Sequence, residues 1–168
     1  MSPRPNLVAL PGYADRPEPD VLFCAHCGSH APDGATPLTR VCGDCGLGLL
    51  VGAAPSLAPQ PGEAFLLVDG QLAIREMSRE AQPLLGVTES EALNLRVTDA
   101  LMPADCEVDG VESLVTLLVH AARGEAEEGP ARIVVRPARE FGIRLWARVG
   151  PCGPPRGALV VLREDAPR

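Results

Sequence analysis

The chain contains no lysine; all fifteen of its basic residues are arginine. Against them stand 22 acidic residues, for a formal charge of −7. A chain of that sign has no general attraction for phosphate, so bulk electrostatic capture of nucleic acid is not expected. Aromatic residues make up only 3% of the chain, so a core has to be built from Leu, Val, Ala and Ile. No apolar run approaches the roughly 18 residues of a membrane span. Leu47 to Ala54 comes nearest and is far too short, and no membrane association is expected. The opening MSPRPNLVALPGYADRP has no long apolar h-region, which disfavours export and a disulfide framework and leaves a cytoplasmic setting as the expectation. Lysine-free, Ala/Gly/Pro-rich composition is associated with GC-rich bacterial genomes.

Catalytic constellations are missing as well. The three histidines show no pairing with Ser or Cys that suggests a nucleophile. The adjacent acids Glu127 and Glu128 belong to a loop-like stretch. There is no phosphoacceptor-histidine helix, kinase glycine-rich loop, cyclase motif or helix-turn-helix. An enzyme is not expected, with no catalytic residue to name.

What the chain does have is four cysteines in two pairs, Cys24-Ala-His-Cys27 and Cys42-Gly-Asp-Cys45, each followed at once by glycine (Gly28, Gly46). A loop of 14 residues separates the pairs. Two tight turns presenting two thiolates each suit a tetrahedral structural zinc site with Zn–S bonds of about 2.3 Å. The glycines fit too, because a knuckle needs backbone that tolerates positive φ close to sulfur. Such a site is closed and offers no position for chemistry. A disulfide pair, a thioredoxin-like redox motif and rubredoxin-like iron are the competing readings; the missing leader, the Pro/Gly-rich surroundings and the short loop weigh against them in turn. His26 and His30 are expected to be solvated loop residues rather than ligands. Across residues 1–62 only Arg4, Arg16 and Arg40 oppose Asp15, Glu18, Asp20, Asp33 and Asp44. A ribbon of that charge is a poor nucleic-acid reader.

Composition divides the chain into a mobile N-terminal segment at 1–20, a four-cysteine zinc ribbon at 21–51, a Pro/Gly-rich linker at 52–62 and a mixed domain at 63–165. The tail Leu47-Gly-Leu-Leu-Val51 either closes the ribbon or docks on the next domain. In that domain, Ala64 to Val68 followed by Asp69-Gly70 predicts a hairpin, with Gln71 to Arg75 returning. Ser78 predicts a cap for a short helix ending at Gly86, despite Pro83. Thr88-Glu-Ser-Glu91 is a capping box, and Thr98 can start a further turn through Leu101. Asp109-Gly-Val-Glu112 is a second box before the longest helix, which runs to Arg123 with Gly124 as its stop. Val111, Leu114, Val115, Leu118 and Ala122 form its apolar stripe. Strands are expected at Ala131–Arg136, Gly142–Val149 and Gly157–Arg163.

In order and local motif this stretch of about 100 residues resembles a PAS domain. Phe65-Leu-Leu-Val-Asp-Gly70 corresponds to the family's first hairpin. Ser78-Arg-Glu-Ala-Gln-Pro-Leu-Leu-Gly86 matches its "N-R-A-A-E-x-L-L-G" segment, and Thr88-Glu-Ser-Glu-Ala-Leu-Asn94 its "s-p-e-E-L-x-G" helix. Ser78 stands where asparagine is usual, and Asn94 where glycine is usual. The resemblance implies an α+β fold, a five-stranded antiparallel sheet with short helices, behind the small zinc ribbon.

Family members carry haem, flavin, metabolites or nothing. His120 lies on the polar side of the long helix and is not expected to hold haem. Neither Cys106 nor Cys152 stands where a flavin-reactive cysteine belongs; Cys152 is expected to be a turn thiol open to oxidation. A closely packed core is expected ahead of a pocket, whose ligand, if any, is unknown. The walls of such a cavity would be Leu66, Val68, Leu72, Ile74, Val115, Leu118, Ile133 and Val135.

On the strand Ile143 to Val149 the odd-numbered residues are apolar and should face inward. Arg144, Trp146 and Arg148 then share the outer face with Arg132, Val134 and Arg136 of the neighbouring strand. The only tryptophan, flanked by arginines, suggests an interface to a protein partner or a second copy, with an acidic partner suiting its charge. A signalling or regulatory module is therefore expected: a PAS-like sensor or interaction domain acting through contacts in trans. The alternatives are a nucleic-acid-associated transcriptional regulator using the ribbon and a thiol redox sensor.

Overall fold

Local turn chemistry sets most element boundaries in the structure, a computed structural model describing residues 20–32, 40–104, 113–125 and 129–164. Among these residues the order is β1 (Val21–Cys24), β2 (Leu50–Ala53), β3 (Ala64–Val68), β4 (Ile74–Met77), α1 (Ala81–Leu85), α2 (Glu89–Ala92) and α3 (Val97–Ala100). Then come β5 (Leu101–Pro103), α4 (Leu114–Arg123), β6 (Ala131–Pro137), β7 (Leu145–Gly153) and β8 (Gly157–Glu164). The capping box at Asp109–Glu112, Val111, Cys106, Glu127, Glu128 and residues 1–19 lie outside the described residues.

The turn after β3 is wider than a two-residue hairpin. Asp69 Oδ1 accepts the N–H groups of Gln71 (2.8 Å) and Ala73 (3.0 Å), and Leu72 takes a left-handed φ of 65°. Chain reversal therefore continues through Leu72, and β4 starts at Ile74 instead of Gln71. Gly86 (φ 64°) ends α1, and Asn94 (φ 67°) takes the left-handed conformation that asparagine tolerates. Thr88 donates its N–H to Glu91 Oε2 at 2.9 Å, closing the capping box of α2. Ser113 caps α4, its Oγ accepting from the Thr116 N–H at 3.2 Å. Ser78 Oγ accepts two N–H groups, from Phe65 at 3.0 Å and Ala81 at 3.3 Å, and so ties β3 to the start of α1.

All strand pairings are antiparallel. The sheet runs β1-β2-β7-β8-β3-β4, with β6 beside β7 and β5 beside β6. The five expected strands are β3, β4, β6, β7 and β8; the short β5 and the two ribbon strands join the same sheet. One edge of β7 has two neighbours. Leu145 to Val149 pair with β6, while Cys152 and Gly153 pair with Ala53 and Gly52 of β2.

Packing on both faces of the sheet accounts for the unbroken apolar run of β3 and of β8 as far as Leu162. Along β3, Ala64, Leu66 and Val68 enter the main core, and Phe65 and Leu67 enter a second one. Along β8, Ala158, Val160 and Leu162 face the first, Leu159 and Val161 the second. The main core lies beneath α1 to α4. The second is capped by ribbon residues Phe23, Ala25, Val51 and Ala53 together with Leu57. A strand buried on both faces loses the polar alternation of a one-sided sheet.

The stretch 52–62, expected as a linker, contributes to this packing. Its first two residues end β2, and Leu57, Ala58 and Pro59 are buried. Leu57 sits so close to Gly150 that a Cβ there would lie 2.7 Å from Leu57 Cδ2.

Candidate metal centre and the two halves of the outer sheet face

The two CxxC turns are built alike. Gly28 N–H donates to Cys24 O (2.9 Å) and Gly46 N–H to Cys42 O (3.0 Å), and both glycines have positive φ, 72° and 67°. The turns face each other, bringing all four Sγ atoms within 4.8 Å. Cys24 and Cys45 are 3.6 Å apart and Cys27 and Cys42 3.8 Å. A tetrahedron with Zn–S arms of 2.3 Å has edges of about 3.8 Å, so these two separations match such edges and the cluster could hold a metal ion. The N–H groups of His26 and Cys27 point at Cys24 Sγ (both 3.4 Å), and that of Gly48 at Cys45 Sγ (3.5 Å). Burial pushes the Cys24 thiol up; the Gly48 and Leu47 N–H groups pull Cys45 down. Four thiolates so close are stable only with a cation among them.

Gly48 belongs to this site although the apolar tail around it hid the fact. A Cβ there would overlap Cys24 Sγ and lie 2.8 Å from His26 Cβ and 2.9 Å from His26 N. Gly48→Ala is therefore expected to weaken metal binding at least about tenfold. Competition against a chromophoric chelator measures it; unchanged affinity would show that the knuckles give way at no cost.

Neither nearby histidine joins the sulfur cluster, and both have other partners. His30 Nε2 lies 2.7 Å from Pro59 O, clipping the first knuckle to the 52–62 stretch. His26 Nδ1 lies 3.7 Å from Glu89 Oε1 at the start of α2. The ribbon is thus fastened to the larger unit by polar contacts as well as by the second core. Phe23 and Phe65 meet edge to face across that seam, centroids 5.6 Å apart.

Cys152 departs from expectation. It is not an open turn thiol: β7 continues past Val149 to Gly153, pairing puts Cys152 opposite Ala53, and the residue is 7% exposed in the second core. Burial pushes its thiol up to about 12.

The ribbon covers only part of the outer face, and the rest holds the expected interface residues. Arg132 faces Arg148 across β6 and β7, Val134 faces Trp146, and Trp146 faces Arg163 of β8. Trp146 is 46% exposed. Arg148 is half-buried and donates to Glu63 Oε2 at 2.7 Å. Glu63, Arg132, Trp146, Arg148 and Arg163 border a shallow depression of about 400 Å³. Two members of the expected set are placed differently. Arg136 lies over the Phe141 ring, 5.2 Å from its centroid, because the following loop brings that ring back to it. Exposed Arg144 precedes β7. Arg163 and Glu63 escaped the sequence reading, the first lying at the end of an apolar run and the second beside the supposed linker.

Of the candidate cavity walls, Leu66, Val68, Ile74, Leu118, Ile133 and Val135 are buried in the main core, and Leu72 packs against it half-buried. Val115 is 39% exposed, because α4 buries Leu114, Leu118, Ala121 and Ala122 instead and turns Val115 to the flank. His120 is exposed on the same helix, as its phase implied.

No protein family and no curated protein matches the chain. Among solved structures it is similar to the crystal structure of the PAS domain of nitrogen regulation protein NR(II) from Vibrio parahaemolyticus. The sequence identity is 20% and the TM-score 0.43, over 67% of this chain and 99% of that one.

Proposed function

We propose that the chain is a non-enzymatic signalling module, a PAS-like interaction domain whose zinc ribbon is a fixed cover over half of its outer sheet face. One observation carries this reading: β3, and β8 as far as Leu162, are buried on both sides, by the helices and by the ribbon, while the arginine–tryptophan part of the face stays open. Zinc is the proposed metal, since it favours a closed tetrahedral thiolate site and takes no part in redox chemistry. A four-thiolate site needs reduced cysteine, which the cytoplasm maintains. In this reading output depends on what the open half touches and not on turnover.

Native mass spectrometry of freshly purified protein, set against the denatured mass, tests this. One zinc per chain and no other non-covalent mass supports the ligand-free interaction module. A second mass lost on denaturation contradicts the ligand-free reading and makes the protein a ligand sensor.

A further inference from the structure

We infer that the open half of the outer face docks an acidic segment of a partner protein, one carrying an apolar residue between its carboxylates. This rests on the interaction-module reading and adds the chemistry of the partner.

Arg132 and Arg148 stand directly opposite each other on neighbouring strands, a like-charge pairing that destabilises a sheet unless anions relieve it. Glu63 relieves one of them, holding Arg148 at 2.7 Å. Arg132 and Arg163 are both exposed, and among the described residues no carboxylate pairs with either. Arg163 stands directly opposite Trp146 on β8 and Arg132 lies diagonal to it on β6, the two about 12 Å apart at Cα by ideal strand spacing. The free charge is thus two separated guanidinium groups with an indole between them, each able to take a carboxylate on two parallel N–H donors. A chain of net charge −7 that gathers unpaired arginine around its only tryptophan has concentrated positive potential at one spot. A second copy is the wrong occupant, because a two-fold contact sets these arginines against themselves. Nucleic acid is disfavoured too, since a continuous run of phosphates cannot avoid Glu63 and Glu164 at the border, whereas a short segment can place single carboxylates on Arg132 and Arg163 alone.

The test titrates a short peptide of alternating glutamate and leucine into the zinc-loaded protein, followed by the emission of Trp146. A lysine–leucine peptide and a single-stranded oligonucleotide serve as comparisons. The expected result is saturable binding of the glutamate peptide alone, weakening with salt, and weakening about tenfold with Arg132→Glu and again with Arg163→Glu. Both positions are exposed, and zinc content and circular dichroism verify that each variant is folded. Equal or tighter binding of the oligonucleotide overturns the inference in favour of phosphate recognition. No response to the glutamate peptide by protein with its zinc in place also overturns it, and leaves the module reading standing. A sample found without zinc after purification in reducing buffer counts against the module reading itself.

Discussion

Cys42→Ser is expected to abolish stoichiometric metal binding and to release the ribbon from the sheet while the larger unit stays folded. Structural zinc contributes on the order of 10–16 kcal/mol in small metal-held modules, more than a hairpin of two four-residue strands can supply alone. With three thiolates the tetrahedron is open and that contribution largely vanishes. Phe23, Ala25, Val51, Ala53 and Leu57 then leave the second core, and Phe65, Leu67, Leu159 and Val161 lose their cover. The main core, under the helices, keeps its members. The measurable consequences are a zinc content near zero, strong binding of a hydrophobic dye and a lowered thermal midpoint, with strand dichroism mostly retained. A variant that binds no zinc, binds no dye and melts like the parent would show that packing alone closes the ribbon.

Phe65→Ala is the second large effect, expected to cost about 3–5 kcal/mol. Phe65 is 1% exposed and lies at the seam: its ring meets Phe23 at 87°, and its backbone N–H is held by Ser78 at the start of α1. Deleting the ring leaves a void between ribbon and sheet that neither can close, because β3 is pinned by β4 and β8 on both edges. Urea unfolding is expected to split from one transition into two, the ribbon separating before the larger unit. A cycle with Phe23→Ala should return a coupling of about 0.5–1.5 kcal/mol for the edge-to-face pair. Additive single losses would place the cost of Phe65→Ala in the sheet and not in the seam.

Features set by neighbours along the chain were legible in the sequence. The paired CxxC-Gly turns, the Thr88–Glu91 box and the stops at Gly86 and Gly124 each depend on a few consecutive residues, and each stands in the structure; the chain also turns at Asp69, though more widely than a two-residue hairpin. What was not legible depends on a distant partner. The prolines of 52–62 report a stiff backbone, yet Leu57 and Pro59 pack because β7 and His30 are waiting for them. Cys152 looked like a turn residue beside Gly153-Pro-Pro155, but its burial comes from Ala53, some hundred residues earlier in the chain. Gly48 reveals its role only once Cys24 is folded against it. One signal was present and undervalued: the unbroken apolar stretch Gly157 to Leu162, where a one-sided sheet would alternate.

The measurement that bears most directly on the metal-held cover is the alkylation rate of Cys152, followed by peptide mass spectrometry with and without a zinc chelator. Cys152 lies under the ribbon and reports on nothing else as directly. The expected result is near-complete protection in the zinc-loaded protein, and modification at the pace of an exposed thiol once the metal is gone. A Cys152 that stays protected after every zinc has been removed would contradict the claim that the metal holds the ribbon over the sheet.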